Sequence, residues 1–114
     1  MNTKQMDGPS IDLNELLIGN PVATFYLRVS GDSMIDAGIH DNDILVVDKS
    51  VKACGRDIII AALNGGFTVK ELRLEPLSLI PHNKNMNPII VSQQDEFSIF
   101  GVVVGMVRQI TRTK

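Results

Sequence analysis

The chain has 114 residues, 44% of them hydrophobic, and 11 Lys and Arg against 13 Asp and Glu give a formal net charge of −2. That balance argues against a protein that grips nucleic acid mainly by electrostatics, and the single cysteine excludes an internal disulfide and fits a reducing cytoplasm. The longest apolar run, residues 99–107, has 9 residues against the roughly 20 of a membrane-spanning helix, so a soluble, cytoplasmic protein with one modest core is expected.

Residues 1–10 are polar, with Gly8-Pro9, and read as a flexible arm. Asp12-Leu13-Asn14-Glu15 reads as a capping box for a short helix that carries Leu16 and Leu17 and ends at Gly19-Asn20-Pro21. The division expected is an arm remnant over residues 1–21 and a β domain over residues 22–114. Residues 22–29 are β-rich, with Phe25, Leu27 and Val29 on one face and Thr24, Tyr26 and Arg28 on the other. A helical turn over residues 35–39 is stopped by Gly38, and strands follow at residues 43–48 and 57–63. Asn64-Gly65 is the best hairpin turn in the chain, although Asn64-Gly65-Gly66 also suits a longer loop. Short strands are expected at residues 77–80 and 89–91, then a long one at 97–110 bent at Gly101 or Gly105. The fold class expected is mainly β: one compact domain of short, largely antiparallel strands with one or two helical turns.

Two residues carry candidate chemistry. Ser33 lies where a strand-like run breaks into a Gly-containing turn, and Lys70 lies inside a second strand-like run, where folding needs no charge. A serine hydroxyl is a poor nucleophile until a base takes its proton, and a lysine serves only when neutral. Moving its pKa from about 10.4 to about 7 disfavours the charged form by about 4 kcal/mol, which desolvation can supply. Alternation places Thr68, Lys70, Leu72 and Leu74 on one face and Phe67 and Val69 on the other. The same pattern also suits a sheet-edge lysine whose ammonium reaches water, and Ser-Gly-Asp-Ser is ordinary turn vocabulary. Backbone N–H groups of the Gly31–Met34 turn, Met34 above all, are the oxyanion candidates.

Other polar residues read more plainly. The aspartates at 32, 36, 41, 43 and 48 lack calcium-loop spacing and are expected as solvated turn residues. His40 and His82 are expected in loops, not on a metal, and no cofactor or metal is expected. Cys54 has no assigned role. Arg108, Arg112 and Lys114 read as a solvated basic tail.

Five segments together reveal more than any one. Ser30-Gly31-Asp32-Ser33-Met34-Ile35-Asp36, Asp41 to Asp48, Gly66-Phe67-Thr68-Val69-Lys70-Glu71-Leu72, Leu79-Ile80-Pro81 through Val91, and Phe100-Gly101-Val102-Val103-Val104 resemble, in order, the self-cleaving LexA/UmuD family. The likeness covers residues 22–108 or so, and is greatest to UmuD-type members in their processed form, UmuD′. It implies the LexA/signal-peptidase-like β fold, with Ser33 as nucleophile and Lys70 as general base of a serine endopeptidase that cuts its own chain. It also implies an accessory subunit of an error-prone translesion polymerase in SOS mutagenesis. The implied partners are a second copy in a homodimer, a UmuC-type polymerase catalytic subunit and a RecA–single-stranded-DNA filament. The family's UmuD-type cut falls at a Cys-Gly bond in an N-terminal arm. Here Cys54-Gly55 lies between Ser33 and Lys70, so it reads as coincidence, and a chain already processed is expected. The alternative is the self-cleavage and dimerisation half of a LexA-like repressor.

Overall fold

A computed structural model describes residues 21–110. The arm, the helix expected at Asp12–Glu15, and Arg112 and Lys114 lie outside the described residues. A 3₁₀ turn, Pro21–Ala23, leads into β1 (Thr24–Arg28), and a second, Ile35–Ala37, precedes β2 (Ile44–Asp48). Then come β3 (Ile58–Leu63), β4 (Gly66–Leu74), β5 (Leu77–Ile80), β6 (Ile89–Ile90) and β7 (Phe97–Val107). All pair antiparallel in one sheet of order β1-β2-β7-β3-β4-β5-β6. The mainly antiparallel β fold with short helical turns is therefore as expected.

The β3–β4 hairpin sets the register of everything that follows. Asn64 and Gly65 have φ of 50° and 87°, the double positive φ of a tight two-residue hairpin turn, and Leu63 pairs directly with Gly66. Gly66 thus belongs to the strand. The turn is also tied down, because Asn64 donates through Nδ2 to Asp95 and accepts at Oδ1 from the Glu96 N–H. The register places Lys70 opposite Ile59 and Val69 opposite Ile60.

The uninterrupted apolar run of β3 follows from burial on both faces. Ile60 packs with Val29, Met34, Ile39, Leu45 and Val47, whereas Ile59 and Ala61 pack with Leu72, Leu79 and Val102. Between β2 and β3 runs β7, which bends twice. Val46 pairs with Gly105 but Val47 with Val103, and Ile60 pairs with Gly101 but Ala61 with Ile99. The extra residues, Val104 and Phe100, each precede one of the glycines at which a bend was expected. At Gly101 a Cβ would come within 2.6 Å of Val47 Cγ1 and 3.2 Å of the Asp48 carbonyl oxygen, so only glycine fits beside β2.

Two expectations are corrected here. Asp43 and Asp48 are buried, not solvated turn residues, and Arg108 is no part of a free tail. Asp43 accepts from Arg108 Nε at 2.8 Å and Nη2 at 2.9 Å, and from the His40 N–H at 2.7 Å; Arg108 Nη2 also donates to the Gly38 carbonyl. Asp48 accepts from the N–H and hydroxyl of Ser50. β7 stops at Val107, short of residue 110, opposite Ile44, the first residue of β2. The Arg108 guanidinium holds the Asp43 carboxyl at about 2, against an ordinary 3.8. A carboxyl depressed on folding contributes stability that is complete above its unfolded value and lost as pH falls through the folded one. Arg108→Ala is therefore expected to lower Tm at neutral pH. It is also expected to flatten the acid-induced loss of Tm between pH 3.8 and about 2, measured by calorimetry against the parent chain.

Candidate active site

Ser33 is held by a turn with little freedom. Past β1 the chain runs through buried Val29 to Gly31, whose φ of 97° suits glycine and whose N–H donates to Asp41 Oδ1 at 2.8 Å. The Val29 N–H donates to the Asp43 carbonyl, and the Asn42 N–H returns a bond to the Val29 carbonyl. Met34, 1% exposed, anchors the far side of the turn in the core. Gly38, at φ 83°, ends the 3₁₀ turn that follows. The Asp32 carbonyl accepts from the Ile35 N–H, whereas the Met34 N–H is not among the donors of the turn.

Lys70 approaches from β4. It is 5% exposed, its Nζ lies 3.0 Å from Ser33 Oγ, and it reaches Thr68 Oγ1, two residues back on the same face, at 2.5 Å. Residues 37 apart in the chain are thus within hydrogen-bonding distance. Burial pushes the lysine pKa down. Among the described residues no carboxylate pairs with this amine: the neighbouring Glu71 is engaged by Arg73 and by His82 Nε2, the latter at 2.7 Å. A nearby anion would restore the charged form, so its absence leaves desolvation unopposed. Chemically, a hydroxyl beside an amine whose charged form is disfavoured by burial can pass its proton across that gap once the amine is neutral.

Ser33 opens onto a cleft of about 300 Å³. Leu27, Val29, Phe67 and Val69 line its sides, with Leu45 and Ile60 beneath. Strand pairing explains the cleft. Among the described residues β5 covers β4 only over Glu71–Leu74, so that residues 67–70 have no described strand on that side, and β2 is the one described strand that pairs with β1. Strand segments that pair with no other described strand on the cleft side therefore border it, Phe67–Lys70 of β4 among them, and along such a segment an extended peptide can take up backbone hydrogen bonds.

The remaining singled-out residues lie elsewhere. Cys54 is exposed, in a turn closed by the Asp57 N–H to its carbonyl, and the described residues hold no His, Cys, Asp and Glu group suited to a metal. Sequence reasoning placed Thr68 on the face of Lys70 without giving it a part. It missed Asp41 as the partner of Gly31 altogether, although an aspartate ten residues on, before an Asn-Asp turn, was its only trace.

Comparison with known proteins follows the same residues. The sequence pattern of the family described as Peptidase S24-like matches residues 2–104. Protein SamA of Salmonella typhimurium is 41% identical over 104 residues, covering 90% of this chain and 72% of that protein. Protein ImpA of Escherichia coli is 41% identical over 105 residues, covering 87% and 68%. The LexA repressor of Sodalis glossinidius is 42% identical over 91 residues, covering 77% of this chain and 45% of the repressor.

Proposed function

The chain belongs to the Peptidase S24-like family of self-cleaving serine peptidases, and from that premise we propose that Ser33 and Lys70 are its nucleophile and general base. Its role is UmuD-like, that of an accessory protein in SOS mutagenesis. The match to SamA, which covers more of both chains than the match to the LexA repressor, favours that role over a repressor's. The observation that carries the dyad is the 3.0 Å approach of the buried Nζ to Oγ, where among the described residues no carboxylate pairs with the amine.

In the proposed cycle, neutral Lys70 takes the Ser33 proton as Oγ bonds to the scissile carbonyl carbon. The resulting oxyanion takes hydrogen bonds from the turn, the Met34 N–H foremost, each worth roughly 3 kcal/mol. As the C–N bond breaks, Lys70 returns the proton to the leaving amine. Water, deprotonated by Lys70, then releases the acyl group and restores the serine. The substrate is an extended segment of the chain itself or of a second copy, laid between β1 and β4. Tethering supplies a high effective concentration, so modest chemistry suffices. The partners in this role are a second copy in a homodimer and a UmuC-type polymerase subunit, with a RecA filament as stimulus of the cut. β7 pairs with β3 only over Phe97–Val102, so among the described residues its exposed Val104, Met106 and Val107 lie where β2 alone flanks the strand, which leaves that end open to such contacts.

The test is to join a family-type arm to the chain and incubate at alkaline pH. Cleavage within the arm, rising with pH, is expected; a folded arm-bearing chain that never cuts would overturn the peptidase reading.

A further inference from the structure

The loop after β5 touches the nucleophile turn at several points that the proposed chemistry does not use. The Asn83 Nδ2 donates to the Asp32 carbonyl at 3.0 Å. On either side, the Asp36 N–H donates to the His82 carbonyl at 2.7 Å, and the Lys84 N–H donates to Asp36 Oδ2 at 3.1 Å. Asn83 is itself held: its Oδ1 accepts from the Asn85 N–H at 2.9 Å and its carbonyl from the Met86 N–H at 3.0 Å. Its carboxamide is therefore oriented before it meets the turn.

The carbonyl it holds belongs to the peptide that joins Asp32 to Ser33. That peptide is planar and trans, so its C=O and its N–H point in opposite directions. Fixing the Asp32 oxygen on the side of Asn83 turns the Ser33 N–H to the other side. Neither that N–H nor that of Met34 is a donor in the turn's own hydrogen bonds. We propose that Asn83 is a positioning residue that locks the Asp32–Ser33 peptide, and so presents the Ser33 and Met34 N–H groups together beside the Ser33 hydroxyl. The inference rests on the Ser33–Lys70 reading and adds to it a side chain that, with the Ile35 N–H on the same oxygen, sets the oxyanion donors. Asn83 touches neither the hydroxyl nor the amine; it acts through the backbone.

A fluorophosphonate probe tests this on the chain as it stands. Ser33 Oγ bonds to phosphorus, the P–F bond breaks, fluoride leaves, the hydroxyl proton passes to Lys70, and the phosphoryl oxygen occupies the oxyanion position. The rate of labelling at Ser33 is followed by mass spectrometry across pH. Asn83→Ala and Asn83→Asp are expected to lower the high-pH plateau by about 10- to 100-fold. The pH midpoint, set by Lys70, should stay where it is, and Asn83→Gln should recover part of the rate. Asn83→Asp keeps the acceptor for the Asn85 N–H, so it reports on the lost donor even if Asn83→Ala unfolds. Labelling that requires Lys70 but ignores both Asn83 substitutions overturns this inference alone. Labelling indifferent to Lys70→Ala overturns the dyad and this inference with it.

Discussion

Ser33→Ala and Lys70→Ala are each expected to slow cleavage of an arm-bearing chain by about 10⁴-fold or more, with the double variant scarcely worse than either. In the proposed mechanism the two side chains, 3.0 Å apart, act as one unit: without Oγ there would be no acyl intermediate, and without Nζ the hydroxyl would keep its proton. Lys70→Arg should be equally inactive, because a guanidinium does not give up its proton in a protein. In the parent the rate should climb about tenfold per pH unit while the lysine is mostly charged, then level off as it becomes neutral. Burial lowers the Lys70 pKa, so levelling should come below the ordinary lysine value of 10.5. First-order rates followed by gel densitometry, with circular dichroism to confirm folding, check each point. A Lys70→Ala chain that cuts at the parent's rate would remove the lysine from the mechanism.

Lys70→Met is expected to make the chain more stable while ending its activity. Lys70 is 5% exposed and its amine has no carboxylate partner among the described residues, so in the charged state the hydroxyls of Ser33 and Thr68 are the groups described that compensate its burial. An unbranched apolar side chain of similar length should raise the unfolding free energy by about 1 kcal/mol at pH 7. The sign of the pH dependence is also determined. A lysine whose pKa is lowered on folding binds fewer protons in the native than in the unfolded state between the two values. The parent should therefore gain stability as pH rises towards 10.5, and the advantage of Lys70→Met should shrink over the same range. Urea titrations of both chains at several pH values measure this. An advantage that grows with pH would mean that folding favours the charged amine.

Local features of the fold were legible because local chemistry decides them. Asn64-Gly65 permits positive φ at both turn positions, Gly38 ends a 3₁₀ turn, and β5 lies at residues 77–80 as its short apolar run suggested. The juxtaposition of Ser33 and Lys70 had no local trace, and only resemblance to a family pointed to it. Asp43 was misread because its partner, Arg108, is 65 residues away and reaches it only after β7 is inserted beside β2. The two bulges were half legible: the glycines mark where β7 bends, but the looped-out residues are Phe100 and Val104, set by the neighbours' register. Asn83 was not singled out in the sequence, because its value depends on which carbonyl the fold brings within 3.0 Å.

Most of the functional account requires that one amine titrate far from its usual range. Direct observation of the Lys70 side chain by NMR, with ¹³C-labelled lysine and Lys70→Met to assign the resonance, would measure that in the intact chain. The account predicts a midpoint clearly below 10.5, moving little when Ser33 is replaced by alanine, because burial and not the serine is the cause. A Lys70 midpoint at or above 10.5 would contradict it, for an amine so placed would hold its proton and leave the Ser33 hydroxyl without a base.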